Sequence, residues 1–375
     1  MNAIKRESNL ELMRIVSMIF IVLYHIIIHC KFLERAEGAS SFFLLLIESL
    51  ILVHVNSYIL LSGYFQCKSK FKMSKVLSLN NADWFYRIIY LILFSALGIV
   101  EADHISIFLG IMPFDYNNYW FINNYLLLYL MSPLLNRIIT TCNRKQFKNI
   151  IIASFIIISV ISTITMDCTV DAFSGRSIET FVLLYLIGAY IRLYPPEMWQ
   201  KLKNWTREKC QLIYFLGYIF MALLSFMAVL LHQDMSPLGE LMRFLGNIIN
   251  NFHITFASPI IIIETVFYFL FFRTLTIKSK LINKISPACL GVYLISENYY
   301  VRTKLYDLLG ITKIIVTRKV IILSILAAVC IFILCSMIEL LRKWLFKKIY
   351  NTKLAKKNRE FYRSYLEKLG FDISW

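Results

Sequence analysis

Apolar stretches long enough to cross a bilayer recur along the whole chain, separated by short polar segments. They run near 10–29, 41–65, 84–100, 119–138, 149–166, 178–194, 211–232, 254–273, 285–301 and 320–342. Each reaches roughly the 17–25 residues that a hydrocarbon core demands once tilt is allowed for. The pattern predicts an all-α, polytopic membrane protein with about ten transmembrane helices. The first run ends in "YHIIIHCKFLER", with no small-residue cleavage site, so it reads as a retained span and not as a signal peptide. Internal repeats and low-complexity segments are not visible, which weighs weakly against a transporter built from inverted repeats.

Composition supports this picture. Of the 375 residues 58% are hydrophobic and 15% aromatic, and the mean hydropathy is +0.64. A soluble domain of this size is less apolar, and abundant aromatic residues suit two membrane interfaces.

The formal net charge of +17 would suggest nucleic acid on a soluble protein. Its placement suggests topology instead. With the amino terminus inside, the inner segments carry Lys5 and Arg6, then Lys68, Lys70, Lys72 and Lys75, then Arg137, Arg144, Lys145 and Lys148. They continue with Arg192, Lys201, Lys203, Arg207 and Lys209, then Arg273, Lys278, Lys280 and Lys284, and end in a basic tail from Arg342. The outer loops hold acids such as Glu34, Glu37, Asp103, Asp167 and Asp234. This bias predicts cytoplasmic termini and a multi-pass protein of the inner (cytoplasmic) membrane, with no nucleic-acid partner. Residues 302–319 dissent, because an outer loop there carries Arg302, Lys304, Lys313, Arg318 and Lys319. Either that loop binds something or the ninth span is re-entrant. The domain reading is a transmembrane unit over 1–348 and a basic amphipathic tail over 349–375, lying on anionic lipid. The eight cysteines are scattered without metal-like spacing, so no metal is expected; Cys30 and Cys168 are the one pair that could meet outside.

Ionisable residues within apolar runs are candidates for function. Arg14 and His25 stand eleven positions apart in "ELMRIVSMIFIVLYHIIIHC". At about 100° per residue they share one helix face, separated by roughly 16 Å along the axis. Taken singly, Arg14 could snorkel to lipid phosphate, and His25 could bond to a neighbouring helix. Together they form a polar line from Arg14 near the cytoplasmic face to His25 past mid-membrane, where it can accept a proton. His29 reads as an interfacial residue. Arg87, flanked by apolar residues, joins Lys72 and Lys75 as inner-face cations able to hold donor phosphates, against the alternative of topology bias alone. In the fourth run Trp120 marks the outer interface, Asn123 and Asn124 sit a turn deeper, and Ser132-Pro133 is expected to kink the helix. Ser62 and Gly63 are expected at a close helix contact. Glu48 is either a lumen-facing acid or a buried protonated one, while Glu264 and Glu297 are either proton relays or paired structural charges. Nothing resembles a serine-hydrolase elbow, a P-loop, a zinc-protease motif or a dinucleotide fingerprint.

Three segments, "NLELMRIVSMIFIVLYH", "YWFINNYLLLYLMSPLLN" and "LGVYLISEN", together resemble the acyltransferase 3 family of integral membrane acyltransferases. The resemblance covers roughly residues 8–345. It implies transfer of an acyl group, usually acetyl, from cytoplasmic acetyl-CoA to a hydroxyl of a surface polysaccharide or its lipid-linked precursor. By carry-over, His25 is the catalytic base or acyl relay, Arg14 orients the donor, and Arg87 matches the second arginine of a third-span pair. Trp120, Asn123, Asn124 and Glu297 are the candidates for holding the acceptor. Two positions depart from the family pattern: Trp84 stands where the first arginine of that pair belongs, and Ser296 replaces the histidine of a late "YLIH". The competing readings are a transporter or flippase for a lipid-linked sugar or small solute, and a membrane protein whose acyltransferase-like site is inactive.

Overall fold

The computed structural model describes residues 6–98, 119–165, 175–195, 206–235, 239–302, 304–317 and 319–350, together with Ser364. Over these residues all regular structure is helical, with no strand. The amino-terminal half gives α1 (Ser8–His29), the short α2 (Phe32–Arg35), α3 (Gly38–Ile51), α4 (His54–Gln66), α5 (Met73–Ala96), α6 (Trp120–Thr141) and α7 (Arg144–Phe155). A π-helical turn over Ile156–Ile161 carries α7 into α8 (Ser162–Thr165). Then follow α9 (Ile178–Leu193), α10 (Arg207–Met235), α11 (Glu240–Ile254), α12 (Pro259–Thr274) and α13 (Lys280–Ile285). The carboxy-terminal part is α14 (Cys289–Ser296), α15 (Tyr299–Arg302), α16 (Leu305–Leu308) and the long α17 (Lys319–Tyr350).

Six stretches are long and apolar enough to cross a membrane by length and composition: Ser8–His29, Gly38–Gln66, Arg144–Thr165, Arg207–Met235, Glu240–Thr274 and Lys319–Ile349. The other four expected spans fall on helices that miss this threshold for a physical reason. α5 and α6 carry too many polar residues, while α9 has 16 residues and α14 only 8. The expected ninth span over 285–301 is in fact broken. It consists of a 3-10 turn, α14 and α15, with the helix interrupted at Glu297 and Asn298. The basic tail expected over 349–375 lies outside the described residues apart from its first residues and Ser364, as does Cys168.

Burial separates a central group of helices from a peripheral one. In the apolar window of Gly38–Gln66, 78% of residues are buried inside the protein, against 22% for Arg144–Thr165 and 33% for Lys319–Ile349. The peripheral helices turn large apolar side chains outward, among them Ile92 on α5, Ile157 after α7, Phe220 on α10 and Leu334 on α17. An outward apolar surface of this kind is what a lipid environment covers. α1 runs through the central group, packing on α4, α12, α13, α14 and α17. Its buried residues Met18, Val22, Ile26 and Ile27 share one core with Val292 of α14 and Ala328 of α17.

Small residues set the closest crossing. A β-carbon at Gly63 of α4 would collide with the Tyr185 carbonyl of α9, and one at Gly188 of α9 with the Leu60 carbonyl of α4. The expected close contact at Gly63 is therefore present, and it is reciprocal. Ser132 and Pro133 lie inside α6, which continues to Thr141, so the helix is not ended there.

α11 and α12 are joined by an irregular stretch over 255–258 within one apolar segment. Such backbone has to be satisfied by protein when water is excluded. Asn56 Nδ2 donates to the Phe256 carbonyl at 2.8 Å, and Ser159 Oγ of the π turn donates to the Ala257 carbonyl at 2.5 Å. Pro259 then opens α12, where the missing N–H costs nothing. Gly175, at φ +67°, lies against this break, and any β-carbon there would strike the Ala257 nitrogen.

Candidate functional site

One face of α1 borders a cavity of about 430 Å³. Arg14, Met18, Ile21 and His25 follow each other along its wall, so the eleven-residue offset does bring Arg14 and His25 onto a common face. α4 adds Tyr58 and Ser62, α5 adds Lys75, and α6 adds Trp120, Phe121 and Tyr125. The carboxy-terminal part adds Cys289 and Tyr293 from α14 and Glu339, Arg342 and Lys343 from α17.

Charge is distributed unevenly along this cavity. At the end bordered by Arg14 lie Lys75, Arg342 and Lys343 as well. Arg14 Nη1 donates to Glu11 Oε2 at 2.6 Å, and Glu11 also accepts from Ser286 Oγ. Lys75 Nζ sits 4.5 Å from the ring centre of Tyr129, a cation–π contact. The midsection is hydroxylated and aromatic. Tyr58 donates to the Arg14 carbonyl at 2.5 Å, and both Ser62 Oγ and Gln66 Nε2 donate to Tyr125 Oη at 3.2 Å.

At the other end His25 meets Glu297. Glu297 Oε1 lies 2.9 Å from His25 Nδ1 and 3.2 Å from His29 Nε2, and Oε2 lies 3.8 Å from Arg302 Nη1. The break after α14 explains this geometry. By ending the helix at Glu297 it lets one carboxylate face α1, where His25 and His29 stand one turn apart. The His29 ring also stacks on Tyr306 at 5.7 Å, so His29 belongs to this polar group and is more than an interfacial residue. The Glu297 carboxylate thus stands at ion-pair distance from Nδ1, where it favours a proton on the ring.

The remaining sequence candidates divide. Trp120 lines the cavity, stacks on Phe256 at 6.3 Å and lies under the Arg176 guanidinium at 5.5 Å. Asn124 Nδ2 donates to the Arg176 carbonyl at 2.6 Å, outside the cavity wall. Asn123 and Lys72 are likewise not on that wall, and Lys72 bonds through its backbone N–H to Tyr129 Oη at 3.0 Å. Arg87 is buried, bonds Asp83 Oδ1 through Nε at 3.0 Å and lies 5.6 Å from the Tyr119 ring centre. It does not line the cavity. Ser296 is buried beside Glu297, and Trp84 is half-buried one turn before Arg87.

Glu339, Arg342 and Lys343 were absent from the sequence candidates. A signal existed: "IELLRK" sets an acid inside an apolar run three and four positions before two bases, the spacing of helical ion pairs.

A second polar cluster lies apart from the cavity. Glu48 Oε2 is 3.3 Å from His253 Nε2, and His253 Nδ1 faces Ser225 Oγ at 3.0 Å and Ser49 Oγ at 3.4 Å. Glu264 is fully buried and makes no hydrogen bond among the described residues.

Residues 7–340 match the family model described as an acyltransferase domain, which is nearly the whole chain. The chain belongs to the acyltransferase 3 family. With its apolar helices, membership makes it a multi-pass membrane acyltransferase. No curated protein and no solved structure matches it.

Proposed function

We propose that this acyltransferase is an O-acyltransferase that moves an acetyl group from cytoplasmic acetyl-CoA to a hydroxyl of a cell-surface polysaccharide or lipid-linked sugar. The observation that carries the reading is a cavity lined by both a group of cations and His25, with Glu297 behind the imidazole. In this reading the protein has ten membrane passages with both termini in the cytoplasm, so the cationic end faces the cytosolic donor and His25 lies on the acceptor's side. The charge bias of the loops supports that orientation.

The chemistry then follows from the side chains. Arg14 and Lys75 attract the donor's phosphates, and the thioester reaches along the α1 face toward His25. His25 Nε2 takes the proton of the acceptor hydroxyl as its oxygen attacks the thioester carbonyl. Glu297, ionised against Nδ1–H, stabilises the imidazolium that forms. The tetrahedral intermediate collapses with loss of the coenzyme A thiolate, which recovers a proton from His25. One C–O bond forms, one C–S bond breaks, and the enzyme ends as it began. Trp120, at the cavity wall, offers a flat ring for the apolar face of a sugar.

The test uses membranes containing the full-length protein, labelled acetyl-CoA and the host's surface glycan. Label should appear in the glycan with the wild type and vanish when the protein is omitted. If no acyl-CoA supports transfer, the transporter and inactive-protein readings replace this one.

A further inference from the structure

Two of the cavity's four cations come from the last helix, and they are built into place. Glu339 of α17 is almost fully buried, and Gly291 of α14 makes the room for it: a β-carbon at Gly291 would strike the Glu339 side chain. Glu339 accepts a hydrogen bond from Tyr86 Oη at 2.6 Å and holds Arg342 in a two-point fork, Nε to Oε2 and Nη2 to Oε1, both at 2.7 Å. The Arg342 guanidinium lies 5.4–5.5 Å from the ring centres of Phe85, Tyr86 and Phe346. Lys343 Nζ is 3.3 Å from Glu339 Oε1 and donates to the Pro287 carbonyl, while its side chain remains 41% exposed.

This arrangement fixes an arginine without consuming it. The fork to Glu339 uses Nε and Nη2, which leaves the Nη1 amino group outside that fork. Arg14 and Lys75 line the same cavity. Arg14, Lys75, Arg342 and Lys343 thus face the two carboxylates Glu11 and Glu339, leaving an excess of positive charge in a partly enclosed space. Positive charge held this way calls for an anionic ligand, and planar guanidinium with ammonium suits phosphate oxygens.

Resting on the acyltransferase reading above, we propose that Arg342 and Lys343, carried by Glu339, form the phosphate subsite for a thioester donor with a phosphorylated carrier of the coenzyme A type. The end of α17 then has a ligand-binding role beyond marking the cytoplasmic side. The Gly291–Glu339–Tyr86 contact is what positions it.

The experiment is calorimetric binding of coenzyme A, and separately of pantetheine, which lacks the phosphates, to purified full-length protein. Two variants are compared with the wild type: Lys343→Ala, and Arg342→Gln combined with Glu339→Gln so that no buried carboxylate is stranded. Each should weaken coenzyme A at least tenfold and leave pantetheine affinity unchanged. Equal coenzyme A affinity in wild type and variants overturns the subsite while leaving the acyltransferase reading standing. Parallel loss of pantetheine binding also overturns it, since the variants then damage the cavity and not a phosphate contact. Failure of the wild type to bind coenzyme A overturns the donor reading and the subsite with it.

Discussion

His25 and His253 each stand against a glutamate inside the same helical assembly, yet their surroundings differ in every respect that matters for chemistry. His25 borders a cavity, and its Nδ1 lies 2.9 Å from Glu297. Among the described residues no group bonds to its Nε2, so that nitrogen is available to a substrate. His253 has both ring nitrogens occupied, Nε2 by Glu48 at 3.3 Å and Nδ1 by Ser225 and Ser49 at 3.0 and 3.4 Å. It is 2% exposed and borders no part of the cavity. The first pair is held at ion-pair distance without a formed hydrogen bond and borders the cavity. The second is satisfied and closed, and it ties α3, α10 and α11 together. A histidine, a carboxylate and a serine within hydrogen-bond distance therefore do not by themselves make a catalytic group; the proposed base differs from His253 in bordering a space that a substrate can enter.

The contrast can be broken by substitution. The largest effect is expected from Glu297→Gln, which keeps shape but removes the anion that stabilises the His25 imidazolium. Transfer should fall by about 10²-fold or more, within the range for loss of a general-base system, with thermal stability little changed. Initial rates at saturating donor check this.

His253→Ala tests the opposite half. It leaves the buried Glu48 carboxyl without its hydrogen-bond partner, which costs about 1–3 kcal/mol. A lower thermal midpoint in detergent is expected, with the rate per folded molecule within about twofold of wild type. A large drop in that rate at an unchanged midpoint would erase the distinction between the two histidines.

Lys75→Ala removes a cavity cation that no carboxylate neutralises among the described residues. The KM for acetyl-CoA should rise about tenfold, the size of one charge-assisted contact, with kcat nearly constant. His29→Gln should have the smallest effect, a few-fold loss in kcat, because His25 still holds Glu297 when His29 is gone. These two sharpen the account by separating donor binding from proton transfer.

What the sequence revealed and what it hid follow from the range of the interactions. The Arg14–His25 line was legible because it obeys a helix period within one element. The contact at Gly63 was legible because a small residue in an apolar run has few other uses. The partner of His25 was not, since Glu297 is recruited from a distant break that no local period announces. Likewise Glu48 stood out as an acid in an apolar run, but its partner His253 lies 205 positions away. Arg342 and Lys343 were hidden for another reason. At the basic end of an apolar helix, a binding cation and a topological one look alike in sequence, and the Glu339 fork is what sets Arg342 apart. Arg87 illustrates the converse: its apolar flanks made it conspicuous, but they reflect burial against Asp83 and Tyr119.

The central claim is that His25 is the base at the end of a donor cavity. The most direct measurement compares wild type and His25→Ala in the same membranes, recording both coenzyme A affinity and acetyl transfer to the glycan per folded molecule. The account predicts unchanged donor affinity and a loss of transfer of at least about 10²-fold in the variant. Equal transfer by the two proteins would contradict it.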